Sequence, residues 1–217
     1  MNPKKGTYIR LQAKPGKENA LANLLTAGGG IVKETEPATL LWFALQLDDT
    51  TFGIFDLFPN EAGRSAHFAG EVAKALQEKA SDLVEGGWNE GVIKNVENCD
   101  VLASKIAPAF PPKLQEATLI HLTANRGKEI DLADFLTGGA PLVEETEPET
   151  LYWFALQFDE NHFGIFDLFA DPSGREKHFA GEVAKALEGK APDLVQGGWG
   201  DGVLKNIKNY TVLASNH

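Results

Sequence analysis

Slid along itself by 111 residues, the chain matches: residues 6–104 pair with 117–215 without a gap, and 61 of the 99 pairs are identical. Whatever one copy folds into, the other has to fold into too. The best-kept blocks are ETEPATLLWFALQLDD against ETEPETLYWFALQFDE, together with FGIFDLF, HFAGEVAKAL and GGW in both copies. A period this long lies well beyond the roughly 20–50 residues of solenoid repeats, so each copy should be a complete domain. The expected domains are residues 1–105 and 117–217. The stretch between them, 106–116, holds Pro108, Pro111 and Pro112, which favour an extended connector.

Within a copy the patterning alternates between strand and helix periods. Ile9 and Leu11 alternate with Tyr8, Arg10 and Gln12 over Thr7–Ala13, a strand period. Leu21, Leu24 and Leu25 then recur at helical spacing over Lys17–Ala27, and Gly28–Gly30 are expected to stop that helix. Thr39–Asp48 and Phe52–Phe58 read as a hairpin, and Glu61 to about Val84 as a second helix with Phe68, Val72, Leu76, Ala80 and Leu83 on one face. The segments Val92–Val96 and Val101–Ser104 supply the last strand or pair of strands. The order β-α-β-β-α-β is the ferredoxin-like split unit, which makes the fold class α+β. Both pleat faces of Leu40–Leu47 are apolar, and two helices cover only one face of a four-stranded sheet. The second copy is the expected cover for the other face, giving two domains packed sheet to sheet and a monomeric chain that imitates a dimer.

Composition narrows the function. With 31 acidic against 20 basic side chains, a net charge of −11 and no Lys/Arg cluster, nucleic acid and anionic membrane surfaces are not expected partners. The first residues lack the apolar stretch of a signal peptide and no long apolar run follows, so a cytoplasmic location is expected. Cys99 is the single cysteine, and Tyr210 stands at its place in the second copy, which leaves no disulfide framework and no thiolate metal site. Phosphate loops, dinucleotide fingerprints and the Gly-x-Ser-x-Gly elbow are absent from the sequence.

The segment FDLFPNEAGRSAHFAG resembles the antibiotic biosynthesis monooxygenase family of dimeric α+β barrels, with an acidic residue and an aromatic on the third strand and a histidine near the start of the second helix. The resemblance covers both halves and implies Asp56, His67, Asp167 and His178 as catalytic candidates, with Phe58 and Phe169 beside them. The family more often has glutamate at the acidic position, so the shorter Asp56 changes the reach of that carboxylate. Read from the residues alone, Asp56 is a carboxylate on an otherwise apolar strand face; it orients a histidine, or acts as a base on a phenol, or forms a structural ion pair or hydrogen bond, with Arg64 as the candidate partner. On an unbroken helix His67 faces solvent with Glu71 and Lys74; if Gly70 breaks the helix, His67 turns toward the sheet and a pocket. Trp42 and Trp153 serve as core or as pocket wall, and Trp88 and Trp199, each after a double glycine, as edge caps or lids. Arg64 and Arg175 complete the candidate substrate-binding set.

The resemblance implies oxidation of a small aromatic quinol or phenol by O₂ without a metal or other cofactor. The alternative is a non-catalytic ligand-binding domain of the same fold, and a third reading is haem binding or degradation. No metal site is expected, because His67 and Glu71 at i,i+4 lack a third ligand other than Asp56.

Overall fold

The computed structural model describes residues 2–107 and 113–217; the connector prolines Pro108, Pro111 and Pro112 lie outside the described residues. The first repeat supplies β1 (Lys5–Gln12), α1 (Glu18–Thr35), β2 (Leu41–Gln46), β3 (Thr51–Phe58), α2 (Glu61–Phe68), α3 (Glu71–Leu83) and β4 (Val96–Lys105). The second supplies β5 (Glu116–Thr123), α4 (Glu129–Thr137), α5 (Gly139–Thr146), β6 (Thr150–Gln157), β7 (His162–Phe169), α6 (Pro172–Phe179), α7 (Glu182–Leu194) and β8 (Ile207–Ser215). The hydrogen-bonded strand order, β1-β3-β2-β8-β5-β7-β6-β4, closes into an eight-stranded barrel, with α+β ferredoxin-like units in tandem.

The compact units divide at the last strands. One unit comprises Met1–Cys99 with Tyr210–His217, and the other Asp100–Asn209. In the first, β3 pairs with β1 and β2, and the end of β8 adds to β2, with Phe43 opposite Ser215 and Gln46 opposite Thr211. In the second, β7 pairs with β5 and β6, and the end of β4 adds to β6 from Asp100–Gln157 to Lys105–Trp153. Each repeat therefore gives the end of its final strand to the unit built mainly from the other.

Each unit has its own core between sheet and helices. In the first, Ile9, Leu11, Trp42, Ala44, Phe52 and Ile54 of the strands meet Leu21, Leu25 and Val32 of α1 and Val72, Leu76, Ala80 and Leu83 of α3. The second repeats this with Trp153 in place of Trp42. The opposite pleat face, with Tyr8, Phe43, Leu45, Phe55 and Leu57, is buried as well.

Three local expectations are corrected. Gly28–Gly30 do not end α1, which continues to Thr35. Gly28 and Gly29 sit in close approaches: a Cβ on Gly28 would lie 2.9 Å from the Trp42 ring, and one on Gly29 2.7 Å from the Ser215 carbonyl oxygen, while one on Gly30 would meet nothing within 4 Å. In the second repeat Pro141 occupies the place of Gly30, and the helix divides at Gly138 into α4 and α5, as a residue without an N–H and with a ring against the preceding turn requires. The expected single helix from Glu61 to about Val84 is two helices broken at Ala69-Gly70. Residues 87–95 form a wide helical turn and a short tight one, so the last strand begins only at Val96.

Gly29→Ala is expected to destabilise the chain by about 1–3 kcal/mol, because the clash is with backbone that cannot step aside. Gly30→Ala should instead stabilise it by about 1 kcal/mol, the helix-propensity difference at an open position. Urea midpoints of the two variants at constant slope check both signs.

Candidate functional site

The break at Gly70 decides the site. Because α2 ends at Phe68, it turns independently of α3, and its His67 is buried against the sheet instead of lying on the solvent face with Glu71 and Lys74. Glu71 and Lys74 pair with each other at 2.8 Å on the surface.

His67 sits between two carboxylates. Its Nδ1 lies 2.5 Å from Glu36 Oε2, and its Nε2 lies 3.1 Å from Asp56 Oδ2. Glu36 follows α1, where the helix dipole disfavours an anion, but its carboxylate is held from three other directions. The Thr39 hydroxyl donates to it at 3.3 Å, the Val72 N–H at the start of α3 donates at 3.2 Å, and His67 pairs with it. A Cβ on Gly70 would run into this carboxylate, so the glycine both breaks the helix and makes room for Glu36. The second unit repeats the arrangement: His178 Nδ1 is 2.5 Å from Glu147 Oε2, its Nε2 is 3.4 Å from Asp167 Oδ2, and the Thr150 hydroxyl donates to Glu147 at 3.2 Å.

Asp56 is fully buried. The imidazole of His67 is its one close charged neighbour, and beyond that contact neither Asp56 oxygen has a hydrogen-bond partner among the described residues; Asp167 is alike beside His178. Burial pushes both aspartates up, against the pull of the neighbouring histidine. Burial opposes the charge on His67 and His178, but Asp56 with Glu36, and Asp167 with Glu147, outweigh it and push each imidazole up to about 10. Burial would raise Glu36 and Glu147, yet the histidine hydrogen bond and charge hold both below their ordinary value. Each unit thus carries an imidazolium flanked by one carboxylate with further donors and one whose only close partner among the described residues is the imidazolium.

The under-satisfied carboxylate faces a cavity. Ile9, Leu24, Trp42, Ile54, Asp56, His67, Phe68 and Trp88 are among its walls in the first unit, and its free volume is about 30 Å³. The matching cavity in the second unit, with Trp153, His178, Phe179 and Trp199, is about 20 Å³. Such volumes hold a water molecule or two, not an aromatic ring. On the other side of His178, a polar hollow of about 180 Å³ is lined by Glu147, Thr150, Lys177 and Glu182. His178 therefore lines both the polar hollow and the apolar cavity in that unit.

The remaining sequence candidates divide. Trp42 and Trp88 line the first cavity, and Trp153 and Trp199 the second. Trp88 is half-buried and follows Gly86 and Gly87, whose φ angles of 76° and 61° only glycine adopts without strain. Phe58 and Phe169 are buried, with ring centres 5.3 and 5.5 Å from those of His67 and His178, and they brace the imidazoles outside the cavity lining. Arg64 is not the partner of Asp56: its guanidinium donates to the carbonyls of Gly6 and Cys99 and pairs with Glu61 at 3.1 Å. Arg175 pairs with Glu116. Neither arginine is among the cavity walls. Among the described residues no group of three His, Cys, Asp or Glu side chains is placed to hold a metal ion, and no helix is long and apolar enough to cross a membrane.

Sequence reasoning missed Glu36 and Glu147. Ending α1 at Gly28–Gly30 hid that Glu36 sits at a helix C-terminus, where a carboxylate is unfavourable unless something compensates it. That misplacement was the available signal.

No protein-family model matches the chain, and no curated protein matches it. Among solved structures, a candidate monooxygenase from Fusobacterium nucleatum is 16% identical with a TM-score of 0.79, the match covering 99% of this chain and 95% of that one. A candidate monooxygenase from Lactobacillus acidophilus is 12% identical with a TM-score of 0.72, covering 100% and 95%. A ferredoxin-fold protein from Listeria monocytogenes, related to antibiotic biosynthesis monooxygenases, is 10% identical with a TM-score of 0.51, covering 97% and 95%.

Proposed function

We propose that this chain, which has the dimeric α+β barrel fold of proteins related to antibiotic biosynthesis monooxygenases, oxidises a small phenol or quinol with O₂ and without a bound cofactor. The observation that carries the reading is Asp56: a fully buried carboxylate whose one close polar partner among the described residues is His67, at the wall of an apolar cavity that two tryptophans also line. Such a group is a competent general base, because a proton relieves the cost of its buried charge. The phenol O–H bond breaks and Asp56 takes the proton. The phenolate then supplies the electrons: one oxygen atom bonds to a ring carbon, the other leaves as water, and the ring C–H and O–H become the two carbonyls of a quinone. His67 balances the charge during the transfer, and Glu36 holds its Nε2 toward Asp56.

Room for the ring comes from displacement of the Trp88 turn about Gly86 and Gly87, the lid role that a positive-φ pair permits. The second reading is a binding domain of the same fold without turnover.

The test is Asp56→Asn with Asp167→Asn. An amide keeps the shape but removes one of the two anions beside His67, so stability should fall by about 1–3 kcal/mol, with the fold kept, while oxygen uptake with quinols is lost. Uptake at the native rate in the double variant excludes Asp56 and Asp167 as bases. Ligand binding without uptake in the native protein supports the binding-domain reading.

A further inference from the structure

We propose that Trp42 and Asp56 together form a clamp for a single hydroxyl group, the indole Nε1–H donating to the hydroxyl oxygen and the carboxylate accepting from its O–H. The inference rests on the cavity being the substrate site, and it narrows the ligand to an aromatic alcohol, excluding its ethers, amines and ketones.

Three observations carry it. Trp42 and Asp56 are direct cross-strand partners in the β2–β3 ladder, and Trp153 and Asp167 are the same pair between β6 and β7. Opposite residues of an antiparallel pair have Cα atoms about 4.5–5.5 Å apart and project from the same face. In the first unit both residues line the cavity and are fully buried. Among the described residues Trp42 Nε1, Trp153 Nε1 and all four oxygens of Asp56 and Asp167 are buried without a hydrogen-bond partner.

The Trp42 N–H has no acceptor, and Asp56, whose Oδ2 meets His67, has no partner at Oδ1 among the described residues; such a donor and acceptor on neighbouring side chains call for a bridging group that accepts on one side and donates on the other. A hydroxyl does both with one oxygen atom. An ether or ketone oxygen leaves Asp56 unsatisfied, and an aromatic amine accepts the indole N–H poorly. The clamp also fits the proposed proton transfer. Once Asp56 holds the proton, the negative charge remains on the oxygen to which Trp42 donates, so the indole is placed where charge develops.

Calorimetric titration of the intact protein with phenol, anisole, aniline and benzaldehyde tests the recognition. Phenol is expected to bind at least about tenfold more tightly than anisole, the reverse of the order that apolar burial alone gives. Trp42→Phe with Trp153→Phe should bring that ratio to about threefold or less. A spectroscopic arm uses 4-nitrophenol, whose phenolate absorbs in the visible: the bound ligand should ionise at lower pH in the native protein than in the Phe variant. Phenol binding no tighter than anisole in the native protein overturns the clamp and leaves the cavity as a binding site. Binding of none of the four overturns the clamp and the substrate-site reading together. If the Phe variant does not fold, the native ligand order alone decides.

Discussion

His67→Leu is expected to destabilise the first unit by about 3–5 kcal/mol, because it leaves the Glu36 and Asp56 carboxylates buried without their shared cation. The leucine fills most of the ring's volume and faces Phe58 and Phe68, so lost packing is the smaller part of the cost. Adding Glu36→Gln to His67→Leu should recover part of the loss, since one stranded charge disappears, the Val72 N–H keeps an amide oxygen to bond, and the Thr39 hydroxyl can turn to accept from the amide NH2. Urea denaturation of the single and double variants checks the sign of this coupling. A single variant within about 1 kcal/mol of the native protein would show that the carboxylates take up protons without strain and that the imidazolium is dispensable.

The second large effect is a loss of stability with alkaline pH. His67 and His178 rise from 6.5 to about 10 on folding. A group whose folded value is raised contributes stability that is fully present below its unfolded value and lost as pH climbs through the folded one. The window is therefore pH 6.5 to about 10, and at roughly 1.4 kcal/mol per pH unit the two sites together amount to several kcal/mol. On the acid side Glu36 and Glu147, held low when folded, contribute stability that is lost as pH falls below their ordinary value of 4.5. Asp56 and Asp167, held high, work against that and soften the acid limb. Calorimetric melts should peak between about pH 5 and 6.5 and fall steadily from pH 7 to 9.5. In His67→Leu with His178→Leu the alkaline fall should flatten. A native Tm that stays level from pH 7 to 9.5 would show that neither histidine is charged in the folded protein.

The repeat, the order of strands and helices and the apolar hairpin faces could all be read from the sequence, because they rest on local periodicity and on a comparison of the chain with itself. Periodicity is set by residues one to four apart and needs no knowledge of what they pack against. The same local reasoning misjudged Gly28–Gly30, since glycines are helix stops only when nothing else needs them small, and here the Trp42 ring and the Ser215 carbonyl do. Asp56 and His67 were recognisable as residue types in a familiar spacing, but their state was not. Whether His67 faced solvent or sheet depended on the break at Gly70, and that break depends in turn on Glu36, 31 residues before His67, entering the gap. The charge on the imidazole, the single close partner of Asp56 and the unsatisfied indole of Trp42 arise from burial among side chains far apart in sequence. Electrostatic energies follow distance and dielectric, which only the folded chain sets. Tertiary structure likewise decided that β4 and β8 each end in the unit built from the other repeat, because two similar copies offer each strand end two sequence-compatible partners.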